Sequence, residues 1–161
     1  MNQTTPALPG EIFEAKGQAW HLSHLSPGIT ASFSAWCQSQ ARARVAAQRP
    51  YLSPDDYREE RAILQREIAT GTYDWHGVLD ARGIGNGASA LLQTDGGQLE
   101  LAALLLEERH GRLDRATVKG LIASAPDAYD LAARAALDLP PRAPAKVTAP
   151  PAAAEVPALV D

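Results

Sequence analysis

Gly97-Gln-Leu-Glu-Leu-Ala-Ala-Leu-Leu-Leu-Glu-Glu-Arg-His110, followed by Gly111-Arg-Leu-Asp114 and Ala116-Thr-Val-Lys-Gly-Leu-Ile122, decides the fold class of this chain. It reads as a leucine-dense helix over Leu99–His110, a glycine stop, an aspartate cap and a second short helix to about Ser124. Leucines fall on nearly every side of the first helix, so no single surface can cover them. A helix apolar around most of its circumference is either deeply buried or waiting for another chain. A mainly α fold follows, with the rest of the chain arranged to meet that helix.

Upstream, Glu11-Ile-Phe-Glu-Ala15 and Gln18-Ala-Trp-His-Leu22 flank Lys16-Gly17, a two-residue link ending in glycine that suits a hairpin turn. An isolated hairpin is marginal in water, so this one must rest on the helices. Trp20, Trp36 and Trp75, with Phe13 and Phe33, are expected to join it to the first helix. That helix runs from Ile29 to about Gln48 after the Pro27-Gly28 break, with Ile29, Phe33, Trp36, Cys37 and Gln40–Ala41 along one stripe. Ser53-Pro54-Asp55-Asp56 opens the next helix: serine caps, proline fits the first position, and the acids face the positive dipole end. Its buried side is Tyr57, Leu64 and Ile68, and Gly71 ends it. Ala88–Gln93 forms a short helix interrupted by Asp95-Gly96-Gly97. A last helix follows Ala125-Pro126-Asp127 to about Asp138, with Tyr129, Ala132, Ala133, Ala136 and Leu137 on one side.

The chain divides into an arm (1–10), one mostly helical domain (11–138) and a Pro/Ala-rich tail (139–161). Prolines at the tail's density forbid helix and ladder alike, so a disordered, solvated tail is expected, reaching roughly 70 Å at ~3.1 Å per residue. A net charge of −4 and a pI near 5.5 argue against nucleic-acid binding, which needs a basic face. Cys37 is the single cysteine, so no intramolecular disulfide forms. No apolar run approaches the ~18 residues of a membrane span. The opening residues carry neither the basic start nor the apolar centre of a secretory signal, and a cytoplasmic protein is expected.

Candidate chemistry is thin. Gly83-Ile-Gly-Asn-Gly-Ala88 matches G-x-G-x-x-A, yet the segment before it is a poor strand and no βαβ pattern follows, so it reads as a loop. His21, His24 and Cys37 lack the paired spacing of structural zinc, and His110 suits a helix C-terminus as a partly charged ring. Asp55, Asp56, Glu59 and Glu60 are explained by a capped, water-facing helix start. Ser53 has no nucleophile elbow around it. The expectation is a noncatalytic protein without cofactor or metal.

The order of features resembles the tail assembly chaperones of long-tailed bacteriophages and their prophage or gene-transfer-agent relatives. The hairpin precedes Leu25-Ser-Pro-Gly28 and a helix with an internal Trp36; then come the leucine-rich helix, the Arg109-His110-Gly111 stop and the helix with Val118, Leu121 and Ile122. The resemblance implies a holdase that coats a hydrophobic tape-measure or other tail protein in the host cytoplasm, through apolar anchors at helical spacing. Its candidate client contacts are Leu101, Leu104, Leu105, Leu121 and Ile122, whose alternative role is the protein's own core. Trp75 or Tyr73 is a further candidate anchor, since aromatics are favoured at interfaces. Homo-oligomerisation is left open. The alternative functions are a structural component that stays in the virion and, further off, an adaptor module.

Overall fold

A computed structural model describes residues 10–75, 87–125 and 127–136. Among them, strands β1 (Gly10–Ala15) and β2 (Gln18–Ser23) precede helices α1 (Pro27–Gln48), α2 (Pro54–Ala69), α3 (Gly87–Leu92), α4 (Asp95–His110), α5 (Arg115–Ala123) and α6 (Ala128–Ala136). The architecture is mainly α with an N-terminal antiparallel hairpin, as the patterning implies. The expected arm, the glycine run 83–86 and the Pro/Ala tail lie outside the described residues, apart from Gly10, which begins β1.

Register runs from Gly10 opposite Ser23 to Ala15 opposite Gln18, closed by Lys16 and Gly17 at φ 54° and 74°. Positive φ at both central residues matches the right-handed twist of the strands, and glycine takes that conformation without a Cβ clash. Phe13, Ala15 and Leu22 are buried, while Ile12 sits on the outer face.

α4 is the centre of the molecule. It packs against β2, α1, α3, α5 and α6, and buries Leu101, Ala102, Ala103, Leu105 and Leu106. Leucines on all sides are thus met by neighbours on all sides, which resolves the choice left by their pattern. α5 is started by Asp114, whose carboxylate accepts from the Thr117 N–H at 2.9 Å. Val118, Leu121 and Ile122 then face α4 and the core.

Four expectations need correcting. The hairpin rests on α4 and α6 rather than on α1. Its aromatics split accordingly: Phe33 packs with Trp36 and Trp75 at 5.6 and 5.3 Å, whereas Trp20 lies 4.8 Å from the His110 ring. Asp95-Gly96-Gly97 does not interrupt a helix but forms the first turn of α4, because the Thr94 hydroxyl accepts from the Gly97 N–H at 3.1 Å. Gly97 is needed there, since a Cβ would overlap the Leu91 carbonyl oxygen where α3 turns into α4. On α6 Ala132 is buried as expected and Ala128 joins it, but Tyr129 and Ala133 are exposed; the expected Leu137 and the side chain of Ala136 lie outside what the structure describes. On α1, Gln40 is exposed and the stripe continues through Ala41 to Val45.

Candidate functional site

The leucine cluster is not a surface in this fold. Leu101, Leu105, Leu121 and Ile122 are 4%, 0%, 1% and 6% exposed, so a partner cannot reach them while the domain is folded. Leu104 is half-buried against the same core. Trp75 is half-buried too: its ring meets Phe33 edge-on and its backbone N–H donates to the Ser34 hydroxyl at 2.8 Å. These six side chains therefore have a packing role in the domain itself.

Polar groups around α4 are also committed. Arg115 grips both Glu100 oxygens at 2.7 Å and Glu107 at 2.6 Å, binding α5 to α4. The hollow of about 430 Å³ beside it is lined by Arg112, Leu113, Asp114 and Arg115, and two of these are spent on the ion pairs and the helix cap. His110 Nε2 accepts the His21 backbone N–H at 2.9 Å, an edge-strand donor that would otherwise need water. An accepting nitrogen carries no proton, which corrects the expected charged ring at the helix end. Burial pushes the His110 pKa down, and the neighbouring His21 and Arg109 push the same way. Cys37 is fully buried and burial lifts its thiol to about 12, so it is held as an unreactive thiol. Among the described residues no cluster of histidine, cysteine or carboxylate side chains could hold a metal ion.

The accessible chemistry lies on the other side of α1. α1 and α2 form a helical hairpin whose corner is the 3₁₀ turn Arg49–Tyr51. α2 packs mainly against α1 and buries only Leu64 completely. The Ser53 hydroxyl caps α2 by accepting the Asp56 N–H at 3.2 Å. Asp55 pairs with Arg58 at 2.8 Å in the open, which accounts for the acidic cluster at this helix start. Between the two helices runs a groove of about 250 Å³ lined by Arg42, Arg61, Leu64, Gln65 and Ile68. Several neighbouring arginines are engaged: Arg44 donates to the Tyr73 hydroxyl at 3.4 Å, Arg49 lies over the Tyr57 ring, and Arg58 holds Asp55. Tyr73 in turn donates to Glu67 at 3.0 Å, and burial, then Glu67, raises its pKa.

No protein-family model, curated protein or solved structure matches this chain.

What the groove can hold follows from its own chemistry. Arg42 and Arg61 have exposed side chains that make no ion pair with any described residue. Between them lie the half-buried Ile68 and, beneath it, the buried Leu64. Two guanidiniums with no ion pair among the described residues suit a ligand that carries carboxylates, because each guanidinium can grip a carboxylate through two N–H groups, and the edge of Ile68 beside them is apolar. Sequence spacing held half of this signal. Positions 61, 64, 65 and 68 share one face of a helix by their separations of three, four and seven. Arg42 belongs to another helix, and only its packing brings it alongside.

Among the described residues no helix is long and apolar enough to cross a membrane.

Proposed function

We propose that this chain is a noncatalytic protein-binding domain, and that the α1–α2 groove, not the leucine helix, is its client-binding surface. The observation that carries this is the pairing of Arg42 and Arg61, exposed and without an ion pair to any described residue, with the half-buried Ile68 that lines the groove between them. The corner between α1 and α2 also carries Tyr51, 87% exposed. Partner-binding surfaces draw on aromatic anchors and arginine in this way.

The resemblance to phage tail assembly chaperones narrows the role to holding an apolar tape-measure or other tail protein until tail subunits assemble around it. A helical client with an apolar stripe and acidic flanks would lie along the groove by helix-in-groove docking. Several weak copies along one long client would bind by effective concentration, with no need for a deep pocket. Stable residence in the finished particle as a structural component is the competing function.

The test is co-expression with a candidate tail client, followed by sizing of the soluble complex. Double reversal, Arg42→Glu with Arg61→Glu, is expected to abolish client solubilisation while circular dichroism and the thermal midpoint stay close to wild type. Retained solubilisation by that variant overturns the groove assignment. Mass spectrometry of purified particles then separates the two roles, since a chaperone is absent from them and a component is present at fixed copy number.

A further inference from the structure

We infer that α2 pairs antiparallel with α2 of a second copy of this chain, about a twofold axis between Ala62 and Ile63, in a weak homodimer.

The side of α2 turned away from the groove is a continuous exposed stripe: Glu59, Ala62, Ile63, Arg66 and Ala69. Their separations of three, four, seven and ten place them on one face of the helix. Ile63 stays in water while Leu64 and Ile68, on the opposite face, join the core. Alanine on either side of it would let a second helix approach within the ~8–10 Å of ordinary helix packing.

Charge identifies what covers the stripe. Glu59 has Asp55, Asp56, Ala62 and Ile63 at the neighbouring helical positions three and four residues away, and Arg66 has Ala62, Ile63, Ala69 and Thr70. No opposite charge stands among these neighbours, and neither side chain makes an ion pair with any described residue. At ~1.5 Å per residue, Glu59 and Arg66 lie about 5 Å to either side of the midpoint between Ala62 and Ile63. Turning a second α2 end for end about that midpoint exchanges the two charges. Each Glu59 then meets the Arg66 of the other copy, and the two Ile63 side chains meet at the centre. A parallel pair would set Glu59 on Glu59 and Arg66 on Arg66, so charge fixes the direction as well. A second copy of this chain is complementary by its own sequence, which is what an isologous twofold contact requires.

Size sets the strength. α2 has 16 residues and is ~24 Å long. One such face on another falls below the ~1,200 Å² of a standard interface, so the dimer is transient, with a dissociation constant on the order of 100 μM. Arg42 and Arg61 stand off the stripe, and both grooves of the pair stay open. Two grooves held together would engage one long client through effective concentration, although the pairing itself does not depend on that client.

Sedimentation equilibrium of the full chain from about 10 μM to about 1 mM brackets that constant. The average mass is expected to rise from 17.1 kDa toward twice that value. Glu59→Arg and Arg66→Glu each put like charges at both crossings, and each should weaken the dimer at least ~tenfold. An equimolar mixture of the two variants regains opposite charges at both crossings, as does Glu59→Arg with Arg66→Glu in one chain. Both should recover the wild-type constant to within about threefold. Recovery needs a folded protein, so it separates lost pairing from lost folding. Ile63→Asp should keep the chain monomeric with its circular dichroism unchanged. A mass of 17.1 kDa throughout, a dimer indifferent to the single reversals or to Ile63→Asp, or failure of both the mixture and the double exchange to restore it, each overturn the proposal. The Arg42→Glu, Arg61→Glu protein is expected to dimerise as wild type does; a monomer there would move self-association to the groove and overturn the assignment to this stripe.

Discussion

α2 and α4 have the same length, 16 residues each, and opposite fates. α4 buries Gly97 and five apolar side chains and is surrounded by β2, α1, α3, α5 and α6; α2 buries Leu64 alone and leans on α1. One is the spine of the domain and the other is its most open helix. The lesson is that the densest apolar segment is the poorest place to look for a partner surface once the chain has enough elements to cover it. Burial of each leucine there is worth roughly 1.5–3 kcal/mol to the fold, and exposing it to a client would forfeit that.

The contrast can be broken at α4 first, where the largest effect lies. Leu105→Ala is expected to destabilise the domain by about 2–5 kcal/mol, because a fully buried side chain leaves a cavity. Urea unfolding measures this. If Leu105→Ala kept its unfolding midpoint and lost only client binding, α4 would be the surface and the roles of the two helices would be reversed.

Arg115→Ala removes the grip on Glu100 and Glu107 that fastens α5 beneath α4. Its side chain is 37% exposed, so a loss of about 1–2 kcal/mol is expected rather than the full cost of a buried ion pair. Glu100→Gln should lose part of the same amount, and additivity of the two changes would show that they do not share one interaction.

His110 sharpens the comparison through pH. Its folded pKa lies below the ordinary value of 6.5, through burial first and then His21 and Arg109. In the window between the two values the unfolded chain binds more protons, so stability rises with pH there. The contribution is complete above about 6.5 and is lost as pH falls toward the folded value. His110→Phe keeps a ring against Trp20 but removes the Nε2 acceptor, and it should flatten that part of the stability profile. An unchanged slope would place the pH dependence on other groups.

The smallest stability effect belongs to the groove. Arg42→Glu and Arg61→Glu should each stay within about 0.5 kcal/mol of wild type, as exposed side chains without partners among the described residues do. A larger loss would mean that the groove arginines hold α1 and α2 together, and it would erase the distinction between spine and open helix.

Much of the fold was legible locally. Lys16-Gly17 announced its turn, and Ser53-Pro54 and Asp114 announced helix starts whose hydroxyl and carboxylate oxygens cap as expected. Thr94 was overlooked because Gly96 and Gly97 read as a break, although a cap preceding them and a close approach to Leu91 make glycine a requirement of that first turn. The exposure of Tyr129 and Ala133 on α6 has a similar origin: alanines mark several sides of that helix alike, so periodicity could not choose among them. The site was the least legible part. Leu64 and Ile68 read as the buried side of their helix, and Ile68 does remain partly covered, but their edge toward Arg42 depends on how α1 crosses α2.

Turns, caps and helical stretches are written into this polypeptide because each depends on groups a few residues apart, and hydrogen bonds at that range form whatever the distant chain does. Which helix becomes the centre, which face of α6 turns inward, and whether Arg42 stands beside Arg61 depend on side chains far apart in the chain competing for the same covered volume. Those outcomes emerge only on packing, when apolar area leaves water for whichever neighbour covers most of it.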